Sequence, residues 1–210
     1  MHVIAMAAQK GGVGKTTISA HLGVEAGLQG HGRVALIDTD PQGSLTDWWN
    51  SRQAEAPAMA SVSLAQLPDQ LRNLKGQGFD LVIIDTPPAL TENIVMVLQV
   101  ADLVLIPTRP SPIDLRAAGK TVDLVDALGK PMVFVLNAVK PRTRLAAASA
   151  VLLSQHGTVA PVSLHDRIDF ATAFTEGYTA QEIDPQSAGA GEMRELWTYI
   201  WNRLNRRRPT

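Results

Sequence analysis

The stretch Lys10-Gly-Gly-Val-Gly-Lys-Thr-Thr17 decides how the rest of this chain is read. It lies between an apolar run, residues 2–8, and a segment with the composition of a helix, residues 16–28. Gly11, Gly12 and Gly14 let backbone N–H groups close around phosphate oxygens, and a helix that begins at the loop adds its partial positive charge. Lys15 then reaches the outer phosphates, and Thr16 offers a hydroxyl to Mg²⁺. A turn that merely joined a strand to a helix would use the glycines but has no need of Lys and Thr after the last of them. Gly11, Gly12, Val13, Gly14, Lys15, Thr16 and Thr17 are therefore read together as a triphosphate cradle.

Outward from this loop, apolar runs recur at 2–8, 34–38, 81–85, 103–106, 133–137 and 159–164. Helical stretches at 16–28, 64–75, 91–100, 113–128, 144–156 and 191–206 separate or follow them. The runs are continuous rather than alternating, as in strands covered on both faces. Helical crossovers between such strands predict an α/β fold, a doubly wound, mostly parallel sheet with helices on both faces, in one domain over residues 1–210. Residues 54–63, rich in small side chains, read as a surface loop. In such sheets ligands bind beyond the carboxyl ends of the strands, where two acidic motifs fall. Asp38-Thr-Asp-Pro-Gln-Gly-Ser44 puts two acids one residue apart, on the same side of a strand end. A plain turn, with Asp capping the next helix, competes with a role at the phosphates; the nearby cradle favours the latter. Leu81-Val-Ile-Ile-Asp-Thr-Pro-Pro88 ends a strand in Asp85, suited to holding Mg²⁺ through water, with Pro87 and Pro88 stiffening the loop.

The cradle departs from the usual pattern: Gln9 stands where a glycine is expected, and a second lysine, Lys10, opens the loop. With the three motifs in this order, the chain resembles the deviant Walker-A ATPases of the ParA/MinD family, and in particular the small, single-domain partition ATPases. The resemblance runs through Asp166-Arg-Ile-Asp-Phe-Ala-Thr-Ala-Phe174 and Glu182-Ile-Asp-Pro185 to the last helix, nearly the whole chain. It implies that Lys10 crosses a dimer interface to the partner's ATP, and that Lys10, Lys15 and Asp40 are catalytic, Asp40 positioning the attacking water. It implies that Asp38 supports a switch segment and joins Thr16 and Asp85 around the metal. Residues 107–114, with Pro110 and Asp114, and Asn137 would form the purine pocket. Arg142 and Arg167 would contact DNA without sequence preference. The expected cofactors are ATP and Mg²⁺. The expected partners are a second copy of the chain, DNA, and a ParB-like or centromere-binding adaptor that stimulates slow hydrolysis, in the cytoplasm at the nucleoid.

Composition narrows the alternatives. Lys and Arg number 19 against 20 Asp and Glu, so no global field recruits nucleic acid or anionic lipid, and basic patches must act locally. Such patches are Lys140, Arg142 and Arg144, then Arg167, and Arg203 with Arg206, Arg207 and Arg208. The absence of cysteine excludes disulfides and thiolate metal sites and fits a reducing compartment. It also argues against two metabolic relatives of the loop, arsenite pumps and the nitrogenase iron protein, while nothing argues for a ligase's substrate pocket. The opening residues lack a basic leader and read as a first strand. A membrane-positioning function, as in MinD, would use Met193, Leu196, Trp197, Ile200, Trp201 and Leu204 as an interfacial face. The same spacing fits better a helix that closes the core, which makes membrane binding the weaker expectation.

Overall fold

Every residue of β1 (His2–Met6) is buried, and alternate side chains enter two different cores. Ile4 and Met6 face one, Val3 and Ala5 the other, which is what the unbroken apolar run requires. The computed structural model describes residues 1–89, 92–141 and 143–206. Its seven strands form one parallel sheet in the order β3-β2-β4-β1-β5-β6-β7. These are β2 (Arg33–Asp38), β3 (Ala58–Met59), β4 (Phe79–Asp85), β5 (Leu103–Thr108), β6 (Met132–Leu136) and β7 (Thr158–Val159). From β1 the chain builds outward to β2 and β3, returns through β4 to the near side, then crosses to β5, β6 and β7 on the far side. The direction of winding thus reverses at β1, and the glycine loop leaves its carboxyl end at that point.

The first core is closed by α1 (Lys15–Leu28), α2 (Ser44–Asn50), α7 (Ile168–Thr175), α8 (Ala180–Ile183) and α9 (Ala188–Asn205). The second is closed by α3 (Leu67–Gly76), α4 (Glu92–Val100), α5 (Pro112–Ala127) and α6 (Leu145–Ser154). The expected boundaries shift in several places. Residues 54–63 are not wholly loop, because Ala58 and Met59 pair with Ala35 and Leu36 as the edge strand. The run at 159–164 is strand only at its start; Pro161 removes a donor, and a single bridge between Val139 and His165 resumes the ladder. The helix expected from Thr91 begins at Glu92 among the described residues, Thr91 itself lying outside them.

The apolar stripe of α9 is spent inside the protein. Met193, Leu196, Trp197, Ile200 and Leu204 are all buried in the first core. Trp197 Nε1 donates to His31 Nδ1 at 2.8 Å, and the half-buried Trp201 stacks on the same imidazole with centroids 4.2 Å apart. No helix among the described residues is long and apolar enough to cross a membrane.

His21 fixes α8 to the helix that follows the glycine loop. It is wholly buried, its Nδ1 lies 2.8 Å from the Thr17 carbonyl, and its Nε2 lies 3.2 Å from the Ala180 N–H. A carbonyl can only accept and an N–H only donate, so the ring is neutral with its proton on Nδ1. Burial lowers its pKa from 6.5 to about 4. Between those values the unfolded chain binds the extra proton, so the stability His21 contributes is complete above about pH 6.5 and is lost as pH falls toward 4. The loss should amount to about 3 kcal/mol at pH 4. Denaturant unfolding of wild type and His21→Asn from pH 4 to 7 should give a steeper rise of stability with pH in the wild type; equal slopes would contradict this role.

Candidate functional site

The glycine loop is shaped by backbone that other residues resist. Gly12 and Gly14 have φ of 70° and 96°, and Gly14 caps α1 without a side-chain bond, so the first-turn N–H groups of the helix stay directed at the loop. A Cβ on Gly14 would overlap the Asn137 amide, whose Nδ2 donates to the Val13 carbonyl at 2.7 Å. Asn137, at the end of β6, thereby braces the loop from the neighbouring strand. Lys15 is buried, with Nζ 3.3 Å from the Ala8 carbonyl. Burial lowers its pKa, and the charges of Asp85 and Asp40 oppose that shift.

The acids divide their work. Asp85 is 1% exposed at the end of β4, and its oxygens accept from Thr16 Oγ1 at 2.6 Å and Ser19 Oγ at 3.3 Å. Burial pushes its carboxyl up to about 6 against the bonds from Thr16 and Ser19. Asp38 uses one oxygen for the Asp40 N–H and the other for the N–H groups of Leu45 and Thr46 and the Thr46 hydroxyl, all within 3.1 Å. Of the two duties expected of Asp38, this arrangement is the support of the loop: its carboxylate caps α2, which has only Gly43 at its own N-cap. Asp40 accepts from the Gln42 N–H at 3.0 Å and lines the cavity over the loop.

That cavity has a volume of about 560 Å³. Gly11, Gly12, Gly14, Lys15, Thr16 and Thr17 line it together with Asp40, Pro88 and Asn137, so the structure brings the three motifs to one place. Pro110 and Asp114, expected to wall the base, are not among its lining residues; from their loop only Arg109 is. Asp114 is 4% exposed and takes an ion pair from Lys10 Nζ at 2.8 Å and a hydrogen bond from Ser111 Oγ. Burial would raise its pKa, but these bonds overcome it and the net shift is downward. A buried carboxylate needs such a partner, and Lys10 supplies it from the head of the loop. Lys10 is accordingly absent from the cavity wall.

Arg167, expected at DNA, lies on the cavity wall and is bonded to Glu192 of α9 through Nε at 3.1 Å and Nη2 at 2.6 Å. Arg142 lies outside the described residues. Arg109, His165, Phe170 and Glu192 were not singled out from the sequence. Arg109 and Phe170 lie inside segments the resemblance covers, 107–114 and 166–174, whereas His165 and Glu192 lie outside any quoted motif.

Residues 4–180 match the family model described as the CobQ/CobB/MinD/ParA nucleotide binding domain. The chain is 34% identical to maintenance of carboxysome distribution protein A of Halothiobacillus neapolitanus, over 90% of this chain and 91% of that protein. It is 32% identical to the chromosome-partitioning ATPase Soj of Thermus thermophilus, over 96% of each. Its fold matches the septum site-determining protein MinD of Pyrococcus horikoshii, solved with Mg-ADP, with a TM-score of 0.79 at 20% identity over 95% of each chain. The chain belongs to the CobQ/CobB/MinD/ParA nucleotide-binding family, and its relatives include a chromosome-partitioning ATPase.

The residues present fit a magnesium nucleotide. Thr16 and Asp85 are adjacent oxygen donors of the kind a hard cation takes when phosphates complete its shell. Among the described residues no cluster of three or more His, Cys, Asp or Glu forms an all-protein metal cage. Asp38→Ala, which removes the cap of α2 and the brace of the loop after β2, should cost about 3 kcal/mol of unfolding free energy. Denaturant titration checks this, and a loss below about 0.5 kcal/mol would show that α2 does not depend on the carboxylate.

Proposed function

We propose that this chain is a single-domain ATPase switch of the ParA type, over residues 1–210, in which ATP joins two copies and the joined form binds DNA without sequence preference. The observation that carries the reading is the placement of Lys10. A cradle already served by Lys15 has a second lysine at its head, and that lysine rests on Asp114 instead of lining its own cavity. Such a lysine could serve a nucleotide held by another copy once it exchanges Asp114 for a phosphate.

In this reading the backbone of residues 11–14 and Lys15 hold the phosphates, with Thr16 and Asp85 at Mg²⁺. Mg²⁺, when bound, neutralises phosphate charge. Asp40 orients the attacking water, since it lines the cavity and keeps its place through Gln42. Lys10 of the partner copy stabilises charge on the outer phosphate, as trans cations do in other phosphoryl-transfer sites. One carboxylate and fixed cations suit slow hydrolysis that a small adaptor of the ParB kind accelerates. DNA binding would fall to Lys140 and Arg144, both exposed in the segment that leads into α6, together with Arg142, and pairing two copies doubles each patch. The cytoplasm, at the nucleoid, is the place this implies. The named relatives concern carboxysome distribution and chromosome partitioning, which supports a large assembly as the cargo class. The membrane reading is disfavoured because the stripe of α9 that would insert is occupied by the core.

The test pairs Lys10→Ala with wild type. The wild-type chain should shift duplex DNA with ATP, not with ADP, and the shift should weaken as salt rises. The variant should keep nucleotide binding but neither dimerise nor shift DNA. A variant that dimerises with ATP as the wild type does would remove Lys10 from the interface, and wild-type binding to anionic vesicles in place of DNA would favour the membrane reading.

A further inference from the structure

Gly11, Gly12, Gly14, Lys15, Thr16 and Thr17 account for the phosphate half of the cavity, which leaves the remaining wall for a nucleoside. Asn137, Ala138, His165, Asp166 and Arg167 form part of that wall. It is built from two loops that the sheet laces together. The Val139 N–H donates to the Leu164 carbonyl and the Asp166 N–H to the Val139 carbonyl, each at 3.0 Å. Ala138 is held at φ 50°, in the left-handed region that a non-glycine residue adopts only when its surroundings hold it there.

One side chain from outside the wall holds the second loop. Glu192 of α9 is largely buried, and its carboxylate accepts from the His165 N–H at 3.0 Å and from Arg167 Nε and Nη2, with His165 Nδ1 at 2.7 Å. Two of these donors are on a cationic guanidinium, which makes the bonds strong and directional. The helix carrying Glu192 cannot give way easily, because Met193, Leu196 and Trp197 on it are core residues. The same helix presses on the site once more: a Cβ at Gly189 would meet the Phe170 ring, itself on the cavity wall, at 3.3 Å.

We infer that Glu192 is a positioning residue for the base half of the nucleotide, fixing His165 and Arg167 so that the C-terminal helix sets how tightly the nucleoside is held. Arg167 is thereby assigned to the cavity wall, since two of its guanidinium nitrogens are already bound to Glu192. The inference rests on the reading of the cavity as an ATP site. Glu192→Gln keeps the shape but turns one oxygen into a donor facing donors, which frees the loop.

The test compares two ligands on the full chain by calorimetry, Mg-ATP and Mg-tripolyphosphate, the second lacking any nucleoside. Glu192→Gln should weaken ATP binding by about tenfold or more while tripolyphosphate binding stays within about twofold of wild type. Arg167→Gln, which leaves the bonds between Glu192 and His165, should give the same selective loss at smaller size and serves if the first variant does not fold. Equal losses for both ligands, or unchanged ATP affinity in a folded variant of either kind, would overturn the inference. Wild-type protein that binds tripolyphosphate but gains nothing from the nucleoside would overturn it as well. Wild-type protein that binds neither ligand would instead overturn the nucleotide reading itself, and the two failures are told apart before any variant is made.

Discussion

A carboxylate that water hardly reaches holds this site together. Asp85 ends the strand beside β1, and two hydroxyls one turn apart on α1, those of Thr16 and Ser19, close on its two oxygens. Removing a charge from water is costly unless partners replace the solvent, and here the partners belong to the helix that begins at the glycine loop. The bond therefore fixes the loop relative to the sheet before any ligand arrives. The strand on the other side is tied in as well, because Thr39 donates through both N–H and hydroxyl to the Asp85 carbonyl. Asp38 and Asp40 take their positions from that strand end.

The second buried carboxylate, Asp114, shows the same economy put to a different use. Its cation comes from the loop, on a flexible side chain that is 39% exposed. Breaking a buried pair by removing one partner is strongly unfavourable, because the remaining charge is left uncompensated. In the proposed switch this disfavours release of Lys10 until a phosphate of comparable charge is offered, while Ser111 and the nearby charge of Arg109 remain to steady Asp114. Within that proposal the pair favours a resting state in which the two copies stay apart.

The sequence carried most of the sheet and the inner part of the site. Unbroken apolar runs marked the central strands because burial on both faces leaves no polar alternation, and the cradle was legible because its glycines and Lys-Thr are contiguous. The edge strand β3 escaped, being two residues held by pairing more than by composition, and β7 was read too long, since only its first residues pair before Pro161. The bounds of α2 were not drawn, but capping of the helix after the motif by Asp was the competing reading, and Asp38 does accept from the N–H groups of Leu45 and Thr46. Asn137 was singled out, but as a reader of the base; its bond to the Val13 carbonyl depends on β6 and the loop meeting, which no local pattern encodes. Asp114 and Arg167 were picked for contacts with ligands, whereas the structure gives each an intramolecular partner of opposite charge, Lys10 and Glu192. The sequence separations involved, over a hundred residues for the first pair, explain why charge pairing of this kind is invisible before folding.

The central claim is that a triphosphate makes two copies of this chain into one unit. Sedimentation of the wild-type protein with Mg²⁺ and a non-hydrolysable ATP analogue, with ADP, and with no nucleotide tests it most directly. The account predicts a doubled mass with the analogue alone. A single-copy mass under all three conditions, or a doubled mass that ignores the nucleotide, would contradict it.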